Sequence, residues 1–214
     1  MHGSIEFLDL DLVDFRYAWN LQKKILLEVK EAYRAGTVIF CRHYPVITLG
    51  RNASLDNLLA PPEVLKSKNI ELIKVDRGGD ITYHGPGQII VYPILNLELF
   101  RRDIHCFLGF LEYLVVDFLK GLGVDAEIYP GVRGVWIKNR KISSFGIGIK
   151  NWISFHGLSL NIKEYDLENF SLIRPCGMDI KVTSLENVLN KTLVFEEIKE
   201  KLKLKFRDKF CLPG

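Results

Sequence analysis

Cys176 stands between Pro175 and Gly177 in the stretch Ile173-Arg-Pro-Cys-Gly-Met178. Proline fixes its own φ and disfavours the α region for Arg174, and glycine opens conformations closed to other residues, so the thiol is expected at a sharp turn. A turn is a poor place for a core cysteine and a good one from which to present a nucleophile to a cleft. The thiolate is the attacking form, so a cation or base must stand nearby. Lys141, His84 and His156 are candidates. An ammonium group in a dry cleft favours the thiolate by charge proximity and can also carry protons, while histidine is the commoner base for thiols. Cys–Lys and Cys–His pairs both remain open at this level. Each has a structural alternative: a lysine at a strand edge is ordinarily a solvated charge, the histidines serve equally as hydrogen-bonded structural groups, and Gly157 marks a bulge or a close backbone approach.

A second chemical feature is Asp76-Arg-Gly-Gly-Asp-Ile-Thr-Tyr-His-Gly-Pro-Gly-Gln88, which separates the strand-like runs Ile70–Val75 and Ile89–Leu95. A glycine-rich polar segment between buried strands is where a sheet protein places a ligand loop. Its backbone amides, with Arg77, Asp80, Tyr83 and His84, suit an anion or a carbonyl. Neither the GxxxxGK[ST] nor the GxGxxG spacing is present, so nucleotide binding is not supported.

The elements that must carry these residues follow from periodicity. Apolar positions from Leu12 through Phe15, Trp19, Leu26 and Val29 predict a long helix over residues 12 to 35, closed by Gly36. Thr37–Cys41 and Val46–Leu49 read as buried strands, with Cys41 a small core residue. Pro61-Pro62 opens a short helix to about Lys68. Asp103 caps a helix through Lys120 whose buried side includes Cys106, Phe107, Leu111 and Phe118. Gly134–Ile137, Lys141–Ile149 and Trp152–Ile162 form a three-strand meander. A helical turn over Asp166–Phe170 follows. Thr183-Ser-Leu-Glu186 has capping-box spacing, and Phe195–Phe210 is a second C-terminal helix. The sum is one α/β domain with a mixed sheet flanked by helices, with a possible small subdomain after about residue 174.

Composition excludes several classes. The net charge of +3 arises from 29 basic and 26 acidic residues, and the basic run from Lys199 to Lys209 alternates with Leu202, Leu204 and Phe206 as a solvated helix face does. No aromatic-glycine pattern of nucleic-acid recognition accompanies it. The four cysteines, at 41, 106, 176 and 211, lack metal-site or disulfide spacing, which points to a reducing cytoplasmic setting. No run approaches the roughly 18 apolar residues of a membrane span, and no leader is evident.

Taken together, Arg77–Gln88, Gly134-Val-Trp-Ile137, Lys141-Ile-Ser-Ser-Phe-Gly146, Phe155-His-Gly-Leu-Ser-Leu-Asn161, Pro175-Cys-Gly177 and Val182-Thr-Ser-Leu185 resemble, in order, the blocks of the lipoyl(octanoyl) transferases. His43-Tyr-Pro-Val-Ile-Thr-Leu-Gly-Arg51 carries a weaker likeness. The resemblance implies the catalytic fold shared with biotin and lipoate protein ligases. It implies transfer of an octanoyl or lipoyl group from acyl carrier protein to a lysine of lipoyl domains, in 2-oxoacid dehydrogenase complexes and in the glycine cleavage H protein, with no cofactor. It places the nucleophile on Cys176 and the acid/base on Lys141. Acyl-binding segments fall on Arg77, Gly78, Gly79, Asp80, Ile81, Thr82, Tyr83 and His84, on Ser144, Phe145 and Gly146, and on Gly157, Leu158 and Ser159. Amides at Gly78-Gly79 or Cys176-Gly177 are the candidate donors to a tetrahedral oxyanion. An ATP-dependent ligase on the same fold is the alternative enzyme, and a carrier-protein or lipoyl-domain binding module without turnover the alternative to an enzyme.

Overall fold

A computed structural model describes residues 5–32, 34–100 and 102–210, and of Cys176 the backbone alone. Met1 to Ser4, where a leader would begin, and Cys211 lie outside the described residues. The strands are β1 (Glu6–Val13), β2 (Gly36–His43), β3 (Val46–Leu49), β4 (Glu71–Lys74), β5 (Ile81–His84), β6 (Gln88–Leu95), β7 (Glu127–Tyr129), β8 (Val132–Ile137), β9 (Arg140–Lys150) and β10 (Ile153–Asn161). The helices are α1 (Phe15–Lys30), α2 (Pro62–Ser67), α3 (Ile104–Gly121), α4 (Leu185–Leu189) and α5 (Phe195–Phe210). A mixed seven-stranded sheet has the order β1-β2-β6-β10-β9-β8-β7, and a three-stranded sheet has the order β4-β3-β5.

The apolar runs in β2 and β6 are continuous because both faces of the large sheet are covered. Val38, Phe40, Ile89 and Val91 face a core built with α3, α4 and α5, whereas Ile39, Cys41, Ile90 and Tyr92 face α1. The meander β8-β9-β10 pairs antiparallel, with Gly157 opposite Gly146 and Leu158 opposite Val91. Gly157 is fixed by contact: a Cβ there would lie 2.0 Å from the Val91 carbonyl oxygen and 2.8 Å from Pro93 Cδ. Gly157→Ala is therefore expected to cost on the order of 3 kcal/mol, as backbone rather than a flexible side chain must move. Gly109→Ala, where nothing lies within 4 Å of the new methyl, is expected to be neutral or to gain up to about 1 kcal/mol from helix propensity. Urea unfolding midpoints of the two variants check both.

Four expectations change. The helix does not begin at Leu12: Leu8-Asp-Leu-Asp-Leu12 alternates with period two and forms β1, parallel to β2, and Asp14 then caps α1 by accepting from Tyr17 N–H at 3.0 Å. Gly36 is no helix stop but the first residue of β2, pressed so closely on β6 that a Cβ would lie 2.6 Å from Leu95 Cδ2. Cys106 is exposed rather than core, since Phe107, Leu111, Leu114 and Phe118 fill the buried stripe of α3 one position away. Ser184, not Thr183, caps α4 by accepting from Asn187 N–H at 3.2 Å. Several lysines of α5 are ion-paired: Lys199 and Lys203 reach Asp9 on β1, and Lys205 reaches Asp117 on α3. Among the described residues no helix is long and apolar enough to cross a membrane.

Candidate active site

The loop between β4 and β5 crosses the large sheet beside the first turn of α1. It is stitched down where Gly78 N–H donates to the Ile147 carbonyl at 2.8 Å. Glycine at 146 permits this approach, since a Cβ there would lie 3.0 Å from Gly78 O and 3.1 Å from Arg77 Cδ. Between the loop and strands β9 and β10 lies a cavity of about 540 Å³. It follows β9 from Lys141 to Ile147, roughly 20 Å of strand at about 3.3 Å per residue. Its walls are predominantly apolar, with Ile81, Ile90, Phe145, Leu158 and Phe170 among them, and Phe15 from the start of α1.

The cavity collects most of the residues singled out from the sequence. Arg77, Gly78, Gly79, Asp80, Ile81, Thr82, His84, Lys141, Ser144, Phe145, Gly146, Gly157, Leu158 and Ser159 all line it. Tyr83 does not share this surface. It is fully buried under the three-stranded sheet with Ile47 and Leu65, and its hydroxyl donates to Asp166 at 2.7 Å. Arg77 binds within the protein: its guanidinium donates to the Thr48 carbonyl and hydroxyl, each at 2.9 Å from Nη2, and to Gly78 O. Arg77 thereby shapes the loop. Asp80 does likewise, accepting from Ser54 N–H at 3.2 Å and from the Asn57 amide at 2.6 Å.

Asn57 extends this link to the cysteine, because its carbonyl accepts from Arg174 N–H at 2.8 Å. Pro175–Gly177 then makes one 3-10 turn, with Gly177 N–H donating to Arg174 O at 3.1 Å and Gly177 at φ 65°. Only glycine takes that backbone readily. The Cys176 side chain lies outside the described residues, but Pro175 and Met178 on either side of it line the cavity together with Lys141. Immediately downstream the chain runs parallel to the start of β9: Lys141 N–H donates to Lys181 O at 2.8 Å, and Thr183 N–H to Lys141 O at 2.9 Å. The cysteine turn and Lys141 are thus tied to one rim of one cleft despite their separation in sequence. Two of the expected oxyanion donors are spoken for, since the amides of Gly78 and Gly177 already serve Ile147 and Arg174.

The cavity is also lined by His84 and His156, which sequence reasoning left open. His156 has φ 55° inside a strand. That left-handed turn swings its ring to the α1 face, where Nε2 meets Asp76 Oδ1 at 2.9 Å and the ring packs near Trp19 and Tyr92. Burial pulls its pKa down, partly offset by the Asp76 carboxylate, so Nε2–H donates as a neutral imidazole. His84 Nδ1 donates to Gln88 Oε1 at 3.2 Å, and burial, with His43 and Arg77 nearby, lowers its pKa to about 3. His43, behind it, donates from Nδ1 to Val13 O and accepts the Tyr92 hydroxyl at Nε2, and burial lowers its pKa to about 4. The rings of His43 and His84 form a neutral polar floor that packs against Phe15.

A pH dependence follows from the direction of these shifts. The unfolded chain protonates His43 and His84 near 6.5, and the folded chain only near 4 and 3, so between those values the unfolded state binds more protons. Stability should be complete above about pH 7 and should fall as pH drops, by on the order of 2 kcal/mol per histidine at pH 5. Urea denaturation at pH 7.5 and pH 5 measures the slope, and His84→Gln should flatten it; an equal slope in that variant would exclude His84 as its source.

Periodicity had no means of pointing to Phe15, Tyr92, Ile180 or Val182 as cavity residues, because each reads as ordinary core or loop. Comparison with known proteins agrees with the geometry. A family model described as the lipoyl protein ligase A/B catalytic domain matches residues 14–207. An octanoyltransferase of Geobacter sp. (strain M21) is 38% identical over 200 residues, covering 93% of this chain and 94% of the relative. One from Christiangramia forsetii is 40% identical, covering 98% and 97%. In fold, the chain resembles a bi-partite lipoate protein ligase from Thermoplasma acidophilum (TM-score 0.74, 16% identity, 97% and 84% covered). It also resembles a biotin protein ligase from Aquifex aeolicus, at TM-score 0.52 and 10% identity, with 96% and 68% covered. A glycine-built cleft with a lysine at its rim, on a mixed sheet matched over nearly its whole length, places this chain in the lipoyl protein ligase A/B catalytic domain family.

Proposed function

We propose that this chain is an octanoyltransferase of lipoate biosynthesis that works through an acyl-cysteine. The supporting observation is the convergence of Lys141 and the residues flanking Cys176 on one end of an apolar cleft. The donor in this reading is octanoyl-acyl carrier protein. The acceptors are lysines of lipoyl domains in 2-oxoacid dehydrogenase complexes and in the glycine cleavage H protein. The octanoyl chain lies along β9 and β10, and each buried CH₂ contributes about 0.8 kcal/mol to its binding.

The Cys176 thiolate attacks the carrier thioester, the tetrahedral oxyanion collapses with cleavage of the carrier C–S bond, and the carrier thiol leaves with a proton from the Lys141 ammonium. One thioester replaces another, so the step is nearly balanced. The acceptor ammonium gives a proton to the now neutral Lys141 and attacks the acyl-cysteine as an amine; the C–S bond breaks, the nitrogen loses its second proton to solvent, and the Cys176 thiolate is restored beside the Lys141 ammonium. No nucleotide enters either step. A thiol nucleophile also requires reducing surroundings, which fits a cytoplasmic enzyme. Octanoyl carrier protein and a lipoyl domain, mixed with the enzyme and without ATP, should yield the lipoyl domain heavier by one octanoyl group. An absolute requirement for ATP would point instead to a ligase, and tight binding of either partner without transfer to a binding module.

A further inference from the structure

Lys141 reaches the cleft through a slot in β8. A Cβ on Gly134 would lie 2.2 Å from Lys141 Cε and 3.1 Å from Nζ. The lysine stem therefore occupies the space that any side chain at 134 would fill, and it carries Nζ to 5.1 Å from the centre of the Trp136 ring. Gly134 is held at φ 138°, a backbone that L side chains rarely adopt. It precedes Val135, the first residue of β8 in register with β9, and the ladder slips just beyond, between Val135 and Trp136. Another group fixes the glycine from behind. Glu112 of α3, 2% exposed, accepts from Gly134 N–H at 2.9 Å with one oxygen and from the Arg133 guanidinium at 2.9 Å with the other.

We propose that Glu112 is a positioning residue for Lys141: by gripping the Arg133-Gly134 backbone it keeps open the slot that aims the ammonium into the cleft. This rests on the reading of Lys141 as the group that activates Cys176. A carboxylate 2% exposed is costly unless fully hydrogen-bonded, and here it spends one oxygen on the amide of the residue that forms the lysine's seat. Arg133, whose side chain is 44% exposed, holds the second oxygen and is in turn steadied by His105 at 3.1 Å.

The test is a double-variant cycle read by the rate at which iodoacetamide alkylates Cys176, scored on its own peptide in a Cys106→Ser background. Lys141→Ala is expected to slow alkylation at least tenfold. Glu112→Ala and Gly134→Ala should each slow it severalfold or more, and Glu112→Gln, which keeps an oxygen to accept the Gly134 amide, should recover most of the rate. Adding Glu112→Ala to Lys141→Ala should change nothing further. A Glu112→Ala effect that persists undiminished in the Lys141→Ala protein overturns the proposal alone, because Glu112 would then act on the fold at large. Full alkylation in Lys141→Ala overturns the reading of Lys141 and the proposal with it. Circular-dichroism melts identify folded variants, and if Glu112→Ala fails to fold, Gly134→Ala carries the same cycle: a wild-type rate there overturns the proposal.

Discussion

Replacing Cys176 with serine is expected to lower octanoyl transfer by a factor on the order of 10³ or more, with little change in melting temperature. The hydroxyl occupies nearly the same space, but at neutral pH it is a far weaker nucleophile than a thiolate, and any ester it formed would discharge more slowly to an amine. The backbone of the corner is set by Pro175, by Gly177 at φ 65° and by the Asn57-to-Arg174 hydrogen bond, none of which serine disturbs. The expectation therefore separates chemistry from folding. Steady-state turnover with octanoyl carrier protein and a lipoyl domain measures it, and a serine variant within tenfold of wild type would remove Cys176 from the mechanism.

The second large effect is expected at Lys141. Lys141→Met keeps an unbranched stem over Trp136 but removes the charge and the group proposed to carry the proton, and turnover should fall by about 10²- to 10⁴-fold, the range of general acid–base catalysis. Lys141→Arg divides the two roles. A guanidinium retains the positive charge but does not give up its proton at physiological pH. Arginine should thus restore much of the reactivity of Cys176 toward iodoacetamide while leaving acyl transfer to the acceptor amine deeply impaired. Equal recovery of both would mean that charge alone is the contribution of Lys141.

Much of the scaffold was legible because its signals are local. The meander from Val132 to Asn161 shows as strand-like runs separated by polar turns, Asp103 caps α3, and α5 shows a single buried stripe through Ile198, Leu202 and Phe206. β1 was missed although Leu8, Leu10 and Leu12 alternate, because Asp9 and Asp11 make the segment look like a polar lead-in and its partners, β2 and the lysines of α5, lie farther along the chain. β5 was hidden inside the glycine-rich loop, where Ile81–His84 is short and its pairing with β3 is long-range. The loop's composition announced a site, but not the division of labour within it. Arg77 and Asp80 look like groups that would meet a polar ligand, whereas their buried and part-buried hydrogen bonds to Thr48, Ser54 and Asn57 build the loop and tether the cysteine corner. Nor does any periodicity disclose that His156 takes a left-handed backbone, or that a carboxylate on α3 grips Gly134. Those are tertiary facts, and tertiary contact also links Lys141 to the chain after Cys176.

Cys176 is proposed to carry the acyl group between donor and acceptor. Its most direct test is to mix the enzyme with octanoyl carrier protein alone, quench, and map the acylated peptide by mass. One octanoyl group is expected on the peptide containing Cys176, as a hydroxylamine-labile thioester. On addition of a lipoyl domain without ATP, that group should pass to the acceptor lysine at least as fast as steady-state turnover. An octanoyl group on another residue, a Cys176 adduct that the acceptor discharges more slowly than turnover, or transfer only in the presence of ATP would contradict it.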